Sequence, residues 1–318
     1  MGFDWQGRRV VVSGAGGFIG SHLTECLLEA GAEVAAMVHL GPGHLAGNTH
    51  PSLHSTAGDL REPDFARQCV EGADTVFHLG AVTSVAYSYA HPQETVATNT
   101  LGTAHMCAAA RRAQVRRFVH TSTAGVYGDA QKGQALTEMH PIRAFNPYTA
   151  GKLGGDHVAE AYYRSYDLPV CTVRLFNVYG PRMGRYLVIP AIIGQLRQGP
   201  EVHLGDLRPT RPFVYIEDIV GAFLKMAAAE NVVGEVVHFA GAQEVSIREV
   251  VERISALMGR VPSIVCDRGR LRPPKSEIFR VRADCAKAAG LLGWKPHISL
   301  DTGLRKTIDW FQDQENGK

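Results

Sequence analysis

Residues 9–20 read Arg9-Val-Val-Val-Ser-Gly-Ala-Gly-Gly-Phe-Ile-Gly20 and carry the strongest structural signal in the chain. The β-branched run before Gly14 predicts a short buried strand, and the residues from Ser21 to Ala30 have the spacing of an amphipathic helix that ends at Gly31. Gly14, Gly17 and Gly20 are three apart between these elements. Glycines there permit a tight turn, a close approach of the backbone to a pyrophosphate, and tight packing of helix on strand. The pyrophosphate would lie at the helix N-terminus, where free N–H groups favour an anion.

The first half of the chain alternates strand and helix patterns, which is typical of a parallel doubly wound α/β sheet. Strands are expected near 9–13, 33–38, 74–79, 116–122 and 170–175, and helices near 19–30, 92–112 and 146–166. The second half is irregular and rich in proline, which predicts a smaller α+β lobe over the carboxyl edge of the sheet. We expect a Rossmann-like dinucleotide-binding domain at 1–176, with a return segment at 213–241, and a substrate lobe at 177–212 and 242–318.

Composition narrows the class of protein. Of the 318 residues, 45% are hydrophobic, which is enough for a large core. The formal net charge of +2 is too balanced to predict a nucleic-acid partner. There is no run of about 18 apolar residues, so no membrane partner is expected. The six cysteines are widely spaced, which favours buried thiols in a reducing cytoplasm over disulfides or a metal site.

A second signal is Tyr148-Thr-Ala-Gly-Lys152. Residues four apart share one face of a helix, so the phenol and the ammonium should be neighbours. A phenol with a pKa of about 10 is a poor base near neutral pH. A fixed ammonium and a cationic nicotinamide ring would favour the phenolate and lower that pKa. The pair therefore predicts proton transfer beside a nicotinamide cofactor.

Together these motifs resemble the extended short-chain dehydrogenases/reductases that act as nucleotide-sugar epimerases and dehydratases. The resemblance runs nearly end to end, through Gly58-Asp-Leu60, His78-Leu-Gly-Ala81, Asn99-Thr-Leu-Gly-Thr103, Thr121-Ser-Thr-Ala-Gly-Val-Tyr-Gly128, Arg174-Leu-Phe-Asn-Val-Tyr-Gly-Pro-Arg182, Arg211-Pro-Phe-Val-Tyr-Ile-Glu-Asp218 and Leu292-Gly-Trp-Lys-Pro296. It implies that Thr123, Tyr148 and Lys152 are catalytic. It implies cofactor contacts from Gly14, Gly17, Phe18, Ile19, Gly20, His39, Asp59, Leu60, Leu79, Ala81, Asn99, Tyr148 and Lys152.

The second strand bears on the choice of cofactor. NAD-binding sheets commonly place an acid at the end of this strand, on the ribose 2′-hydroxyl, whereas this chain has Val38 and His39. His39 either faces a 2′-phosphate or only caps the strand, and Asp59 resembles the acid that contacts adenine in the family. NAD is favoured, because an enzyme that returns the hydride to its own substrate needs no NADPH pool. NADP stays open.

The two positions that directly follow Thr123 bear on the reaction. The 4,6-dehydratases of the family carry acids there for elimination, and this chain has Ala124 and Gly125. Elimination without its acid/base group would lose on the order of 10²–10⁴ in rate. We therefore predict a C4 epimerase acting on a UDP-hexose or UDP-hexuronate through a 4-keto sugar. The alternatives are a dehydratase with an acid from Glu138 or His140, a 4-keto-sugar reductase, and a non-catalytic NAD-binding protein.

The resemblance also indicates how a nucleotide-diphosphate sugar would bind. Asn177, Arg211 and Arg272 match the residues that hold the diphosphate, and arginine suits phosphate because its planar fork bonds two oxygens at once. Ser84 and Arg185 are candidates for the sugar pocket. Arg185 would suit a C6 carboxylate, or is equally an exposed loop arginine.

The family pairs two helices across a two-fold axis, so we expect a homodimer. The corresponding helices near 92–112 and 146–166 carry small residues, among them Ala104, Ala108 and Ala159, that would allow close helix approach.

Overall fold

The computed structural model describes residues 3–128, 134–271 and 278–316. At its centre is a seven-stranded sheet in the order β11-β6-β5-β4-β1-β2-β3, with every neighbouring pair parallel. The strands are β1 Arg9–Ser13, β2 Glu33–Val38, β3 Leu53–Ala57, β4 Thr75–His78, β5 Arg117–Thr123, β6 Val170–Leu175, β7 Val178–Tyr179, β8 Glu201–Leu204, β9 Thr210–Arg211, β10 Val214–Tyr215, β11 Val236–Phe239, β12 Val245–Ser246 and β13 Ser263–Cys266. The predicted parallel doubly wound α/β fold is confirmed.

Helices cover both faces of this sheet. They are α1 Phe18–Glu29, α2 Pro63–Val70, α3 Val85–Ala90, α4 Pro92–Val96, α5 Gly102–Arg112, α6 Pro147–Tyr166, α7 Val188–Gln198, α8 Ile216–Ala228, α9 Ile247–Leu257, α10 Ala286–Leu292 and α11 Leu300–Asn316. Within the described ranges, none of them is long and apolar enough to cross a membrane.

The period of two along a strand explains why two separate cores form. Val10 and Val12 of β1 point to one face, where they pack with α1 and α8. Val11, between them, points to the other face and joins α2, α5 and α6. All three valines are fully buried, which is why this strand reads as a continuous apolar run.

The second half of the chain forms three two-stranded sheets, which pair β10 with β7, β12 with β9, and β13 with β8. The predicted return segment 213–241 contains β10, which belongs to one of these small sheets. It also contains β11, which returns to the central sheet beside β6. The hydrophobic cluster around α1 and α8 continues into α9 and α11, so this lobe shares a core with the sheet.

The helix predicted over 92–112 is interrupted. Residues Ala97–Leu101 form a π-turn between α4 and α5, an irregularity that often marks functional regions. The facing helix, α6, packs against this turn through Gly151, Gly154 and Gly155. A Cβ on Gly155 would lie 2.9 Å from the Asn99 carbonyl oxygen, so a larger residue there would push α6 away. This close approach sets the position of Tyr148 and Lys152.

Candidate active site

The glycine-rich turn after β1 has the geometry of an anion cradle. Gly14 has φ +72°, and a Cβ there would lie 2.9 Å from the Gly80 Cα, so glycine is required both for the turn and for contact with the loop after β4. Helix α1 begins at Phe18 with Gly17 as its N-cap. No side chain caps this helix, and its first turn holds no acid. Its first N–H groups therefore remain available to an anion.

Two adjoining cavities follow this turn along the carboxyl edge of the sheet. The larger has a volume of about 820 Å³ and the smaller about 320 Å³, and they share Gly14, Val38, His39, Leu40 and Ala81. Predicted cofactor residues in the larger cavity are Gly14, Gly17, Phe18, Ile19, Gly20, His39, Leu79, Ala81, Tyr148 and Lys152. Asp59 and Leu60 lie in the smaller one. An elongated dinucleotide matches this pair of joined cavities.

Asn99 is the exception among the predicted cofactor residues. Its side chain is buried, accepting a hydrogen bond from the Val82 N–H (2.8 Å) and donating one to the Val82 carbonyl (3.0 Å). Both amide groups are therefore engaged with the loop that follows β4. Asn99 supports the wall of the cavity and does not line it.

The end of β2 is open to solvent. His39 is exposed, and its Nδ1 lies 3.4 Å from the Gly58 carbonyl, which is consistent with a weak cap of the strand end. The nearby Asp59 carboxylate accepts two hydrogen bonds from Arg61 Nε and one from its Nη2, at 2.5–3.0 Å. Hydrogen bonding to Arg61 lowers the pKa of Asp59 to about 2, so this carboxylate is charged at neutral pH.

The three predicted catalytic residues meet at the larger cavity. Thr123 ends β5, and its Oγ1 accepts the Gly125 N–H at 3.2 Å. Helix α6 starts with a capping box between Asn146 and Thr149, which fixes the first turn where Tyr148 lies. The Tyr148 phenol and the Thr123 hydroxyl both line the larger cavity, and Thr123 acts to lower the pKa of Tyr148. Lys152 follows one turn later on the same helix face, buried at 4% exposure.

Burial dominates the acid–base properties of this pair. It raises the pKa of Tyr148, although the hydrogen bond to Thr123 acts in the opposite direction. It also lowers the pKa of Lys152 to about 8, against the attraction of Asp156. In the protein alone, desolvation of the phenolate therefore dominates the pKa of Tyr148, and the lowering expected from the ammonium together with a cationic nicotinamide stays a prediction for the cofactor complex.

A segment between β7 and α7 closes one side of the cavity. Arg182, at φ +66°, donates two hydrogen bonds to Glu25 of α1 (2.8 and 3.0 Å). One turn earlier on α1, His22 Nε2 lies 3.1 Å from the Pro181 carbonyl. The segment adds Arg182, Met183, Gly184, Tyr186 and Leu187 to the lining. The sequence contains no local signal for the Glu25–Arg182 pair, because its members are 157 residues apart.

The predicted substrate residues are spread more widely. Asn177 lines the larger cavity, whereas Arg185 lines a neighbouring cavity with Arg197 and Arg270. Arg211 is in β9 and donates a hydrogen bond to the Thr210 carbonyl at 2.7 Å. The Ser84 hydroxyl accepts the Tyr87 N–H at 3.1 Å and so caps α3. Arg272 lies outside the described residues.

Neither of the two positions after Thr123 carries an acid, and both are closely packed. Ala124 is buried, and a Cβ at Gly125 would lie 2.9 Å from Thr149 Cγ2, a methyl group held by the capping box. Over the described parts of the chain, the lining of the larger cavity includes no carboxylate. Glu138 instead accepts the backbone N–H of His238 at 2.9 Å, and His140 packs edge-on against Tyr127. Neither of these suggested acids lines the cavity.

Comparisons with known proteins agree with this site. Residues 11–307 match the family described as GDP-mannose 4,6 dehydratase. A UDP-glucose 4-epimerase from Mycolicibacterium smegmatis is 32% identical, covering 96% of this chain and 99% of that enzyme. A dTDP-glucose 4,6-dehydratase from Streptomyces antibioticus is 33% identical, covering 96% of this chain and 92% of that enzyme.

Among solved structures, the UDP-glucuronic acid 4-epimerase from Bacillus cereus, in complex with UDP-glucuronic acid and NAD, superposes with a TM-score of 0.89. It is 27% identical over 96% of this chain and 99% of its own. Relatives thus include both epimerases and dehydratases, so the chemistry has to be decided from the residues of the site.

Proposed function

The chain belongs to the GDP-mannose 4,6-dehydratase family of extended short-chain dehydrogenases/reductases, and from that membership we propose that it is an NAD-dependent nucleotide-sugar C4 epimerase. The sugar C4 hydroxyl is oxidised to a ketone, the 4-keto sugar rotates, and hydride returns to its other face. UDP-hexoses and UDP-hexuronates are the substrates that we favour, since relatives named for both share the fold.

One observation carries the choice of epimerisation over elimination. A 4,6-elimination needs a group that removes the C5 proton and another that protonates the leaving hydroxyl. The described lining of the large cavity offers no carboxylate for either task, and Thr149 fills the space beside Gly125. Epimerisation needs proton transfer at the C4 oxygen alone, which the cluster of Thr123, Tyr148 and Lys152 can provide.

The residues of the cradle fit a dinucleotide, because glycine leaves room for the backbone to approach a pyrophosphate and the start of α1 is uncapped. Bound NAD⁺ supplies the hydride acceptor. Tyr148 then takes the proton from the C4 hydroxyl and gives it back when the ketone is reduced. Thr123 orients that hydroxyl by hydrogen bonding. Lys152 holds the nicotinamide ribose and stabilises the phenolate electrostatically.

The nucleotide end of the substrate is assigned by charge. We place the diphosphate near Asn177 at the cavity wall, with Arg211 and Arg272 as its cationic partners. The lobe formed by 177–212 and 242–318 would then hold the nucleotide, while 1–176 and the return segment 213–241 hold the cofactor. Arg185 would lie at the sugar end if the substrate carries a C6 carboxylate. Ser84 serves the sugar pocket only indirectly, by capping α3.

The decisive experiment is incubation with UDP-glucose, UDP-glucuronate and UDP-N-acetylglucosamine in D₂O without added cofactor, followed by ¹H NMR. We expect a C4 epimer with no deuterium at C5. Deuterium at C5, or a 4-keto-6-deoxy product, would instead establish elimination. A 4-keto-sugar reductase would convert none of these sugars, with or without NADPH, and would oxidise NADPH stoichiometrically once a nucleotide 4-keto sugar is supplied. A non-catalytic binding protein would release cofactor on denaturation yet convert none of the sugars.

A further inference from the structure

Asp156 is a buried carboxylate directly behind the catalytic pair. It lies on α6, one turn after Lys152 and two turns after Tyr148, on the same face of the helix. Its side chain is 9% exposed. The Oδ1 atom accepts a hydrogen bond from His120 Nε2 (2.9 Å), and Oδ2 accepts one from Ser122 Oγ and one from Arg174 Nη2 (both 2.7 Å).

These three contacts determine the charge of the cluster. Burial alone would raise the pKa of Asp156, but the hydrogen bonds from His120 and Ser122 and the charge of Arg174 hold it below its usual value. Arg174 is 3% exposed and is held from its other side by the Tyr127 hydroxyl. Burial lowers the pKa of His120, and its Nδ1 has no hydrogen-bond partner among the described residues. The cluster is therefore an anion and a cation with a neutral imidazole that donates through Nε2.

The other titratable groups packed around Lys152 are two buried imidazoles, those of His78 and His120, and the Arg174 guanidinium, which is paired with Asp156. His78 of β4 is fully buried between Ser13 and Thr103, and burial keeps the pKa of its imidazole well below the usual value. His120 of β5 is neutral, and Arg174 of β6 faces Asp156. Within the described part of the chain, Asp156 is the one carboxylate whose charge raises the pKa of both Lys152 and Tyr148.

We propose that Asp156 is a positioning residue, a fixed anion that sets the charge state of Lys152 and Tyr148 and so the pH range in which the C4 proton can move. This role rests on the proposed function of the site. The anion favours the ammonium form of Lys152, which its burial disfavours. It also disfavours the phenolate, so Tyr148 stays protonated while the cavity is empty. Its own three partners keep it from turning toward the cavity, where a mobile carboxylate could act as an unwanted base.

The test is the pH dependence of turnover in the Asp156→Asn variant, which keeps the shape of the side chain and removes its charge. If activity requires deprotonated Tyr148 and protonated Lys152, the two pKa values form the acid and alkaline limbs of a bell. Removing the anion lowers both pKa values, so the whole bell should move to lower pH by about one unit. A residue with a merely structural role would lower the height of the bell and leave its position unchanged.

Two further variants act as controls. Asp156→Glu keeps the charge and should return the bell to its original position, even at a reduced rate. Tyr127→Phe removes a neutral hydrogen bond to the same Arg174 and should not move the bell. If Asp156→Asn does not fold because Arg174 is left unpaired, the double variant Asp156→Asn, Arg174→Gln replaces it. Because this variant removes the Arg174 cation together with the Asp156 anion, a smaller shift in the same direction is expected.

A second readout separates this proposal from the proposed function. The rate at which acetic anhydride modifies Lys152, followed by mass spectrometry across pH, reports the pKa of this lysine without any substrate. If no nucleotide sugar is converted, the proposed function fails while the labelling profile still reports on Asp156. Superimposable labelling profiles in the wild type and in the folded Asn or double variant would overturn the role of Asp156.

Discussion

At the scale of single residues, Tyr148 carries the most direct prediction. Tyr148→Phe keeps the ring and removes the hydroxyl that moves the proton, so turnover should fall by about 10²–10⁴ while the cofactor stays bound. Lys152→Ala should lower both turnover and cofactor content. Tyr166→Phe is the matched control, because this tyrosine lies on the same helix and is 48% exposed. NMR assays of epimerisation and the absorbance of released cofactor measure both effects. A Tyr148→Phe enzyme with more than a tenth of wild-type turnover would contradict the assignment.

Gly125 carries a second prediction at this scale. A Cβ there would lie 2.9 Å from Thr149 Cγ2, so Gly125→Ala should lower the free energy of unfolding by about 1–3 kcal/mol. Thr149→Ser removes that methyl group and keeps the hydroxyl that the Asn146 N–H bonds to, so it should relieve much of the cost. Urea denaturation of the wild type, the two single variants and the double variant completes a double-mutant cycle, which gives the coupling free energy between positions 125 and 149.

The control for this cycle is Gly221→Ala. Gly221 is inside α8 and has nothing within 4 Å of its added Cβ, so alanine should stabilise the helix by about 0.5–1 kcal/mol. If Gly125→Ala cost the same in the Thr149 and Ser backgrounds, the contact with Thr149 would not be what closes this position to an acid.

At the scale of elements, the pairing of α1 with the segment after β7 predicts how firmly the cofactor is held. Glu25→Ala removes the carboxylate that holds Arg182 in its left-handed conformation. The segment should open more often, and bound NAD should dissociate about tenfold faster. Glu29→Ala, an exposed position at the end of the same helix, is the control. Cofactor retained after gel filtration measures the difference, and equal retention in the two variants would argue against a clamp.

Sequence patterns predict elements well where local and tertiary preferences agree. The bounds of β1, β2 and β6 were predicted, because each is a largely buried parallel strand rich in apolar residues. By contrast, β3 was missed. Leu53–Ala57 reads Leu-His-Ser-Thr-Ala and forms the exposed edge of the sheet, so its pairing with β2 leaves no apolar signature.

The residues of the candidate site were likewise predicted only where a sequence motif places them together. Thr123, Tyr148 and Lys152 were placed together by motif spacing, and all three line the cavity. The roles of Asn99 and Ser84 depend on backbone groups of Val82 and Tyr87, which spacing cannot reveal. Asp156 follows Lys152 by four residues, and that spacing was the available signal for it. Its role is apparent only from its hydrogen bonds to residues of β5 and β6, which the spacing does not predict.

At the scale of the whole molecule, assembly is the open prediction. We propose a homodimer through α4–α5 and α6. Ala159 does not contribute to this interface as expected, because it is fully buried inside its own chain and cannot contact a partner. Exposed small and apolar residues remain on these helices: Val96, Leu101, Ala108, Ala150 and Ala161.

Light scattering at micromolar concentration should give the mass of two chains. Leu101→Lys should shift the mass to one chain, because it places a charge on a side chain that is 47% exposed on this face. Val261→Lys, at an apolar position 86% exposed in the other lobe, should leave the dimer intact. A monomeric wild type would end this proposal.

The return of β11 to the sheet has a consequence for biosynthesis. When Leu175 has just been translated, the edge of β6 lacks the neighbour that later pairs with it, because Val236–Phe239 is encoded some sixty codons downstream. At about 5–20 residues per second, the ribosome needs roughly 3–12 s to supply it. Throughout that interval the nascent sheet ends in β6, a strand that is buried in the finished fold. The backbone N–H and C=O groups along its free edge are unpaired, and such an edge is a template for aggregation. We therefore expect aggregation to be favoured during this interval, and a gene cut after β6 would make that exposure permanent.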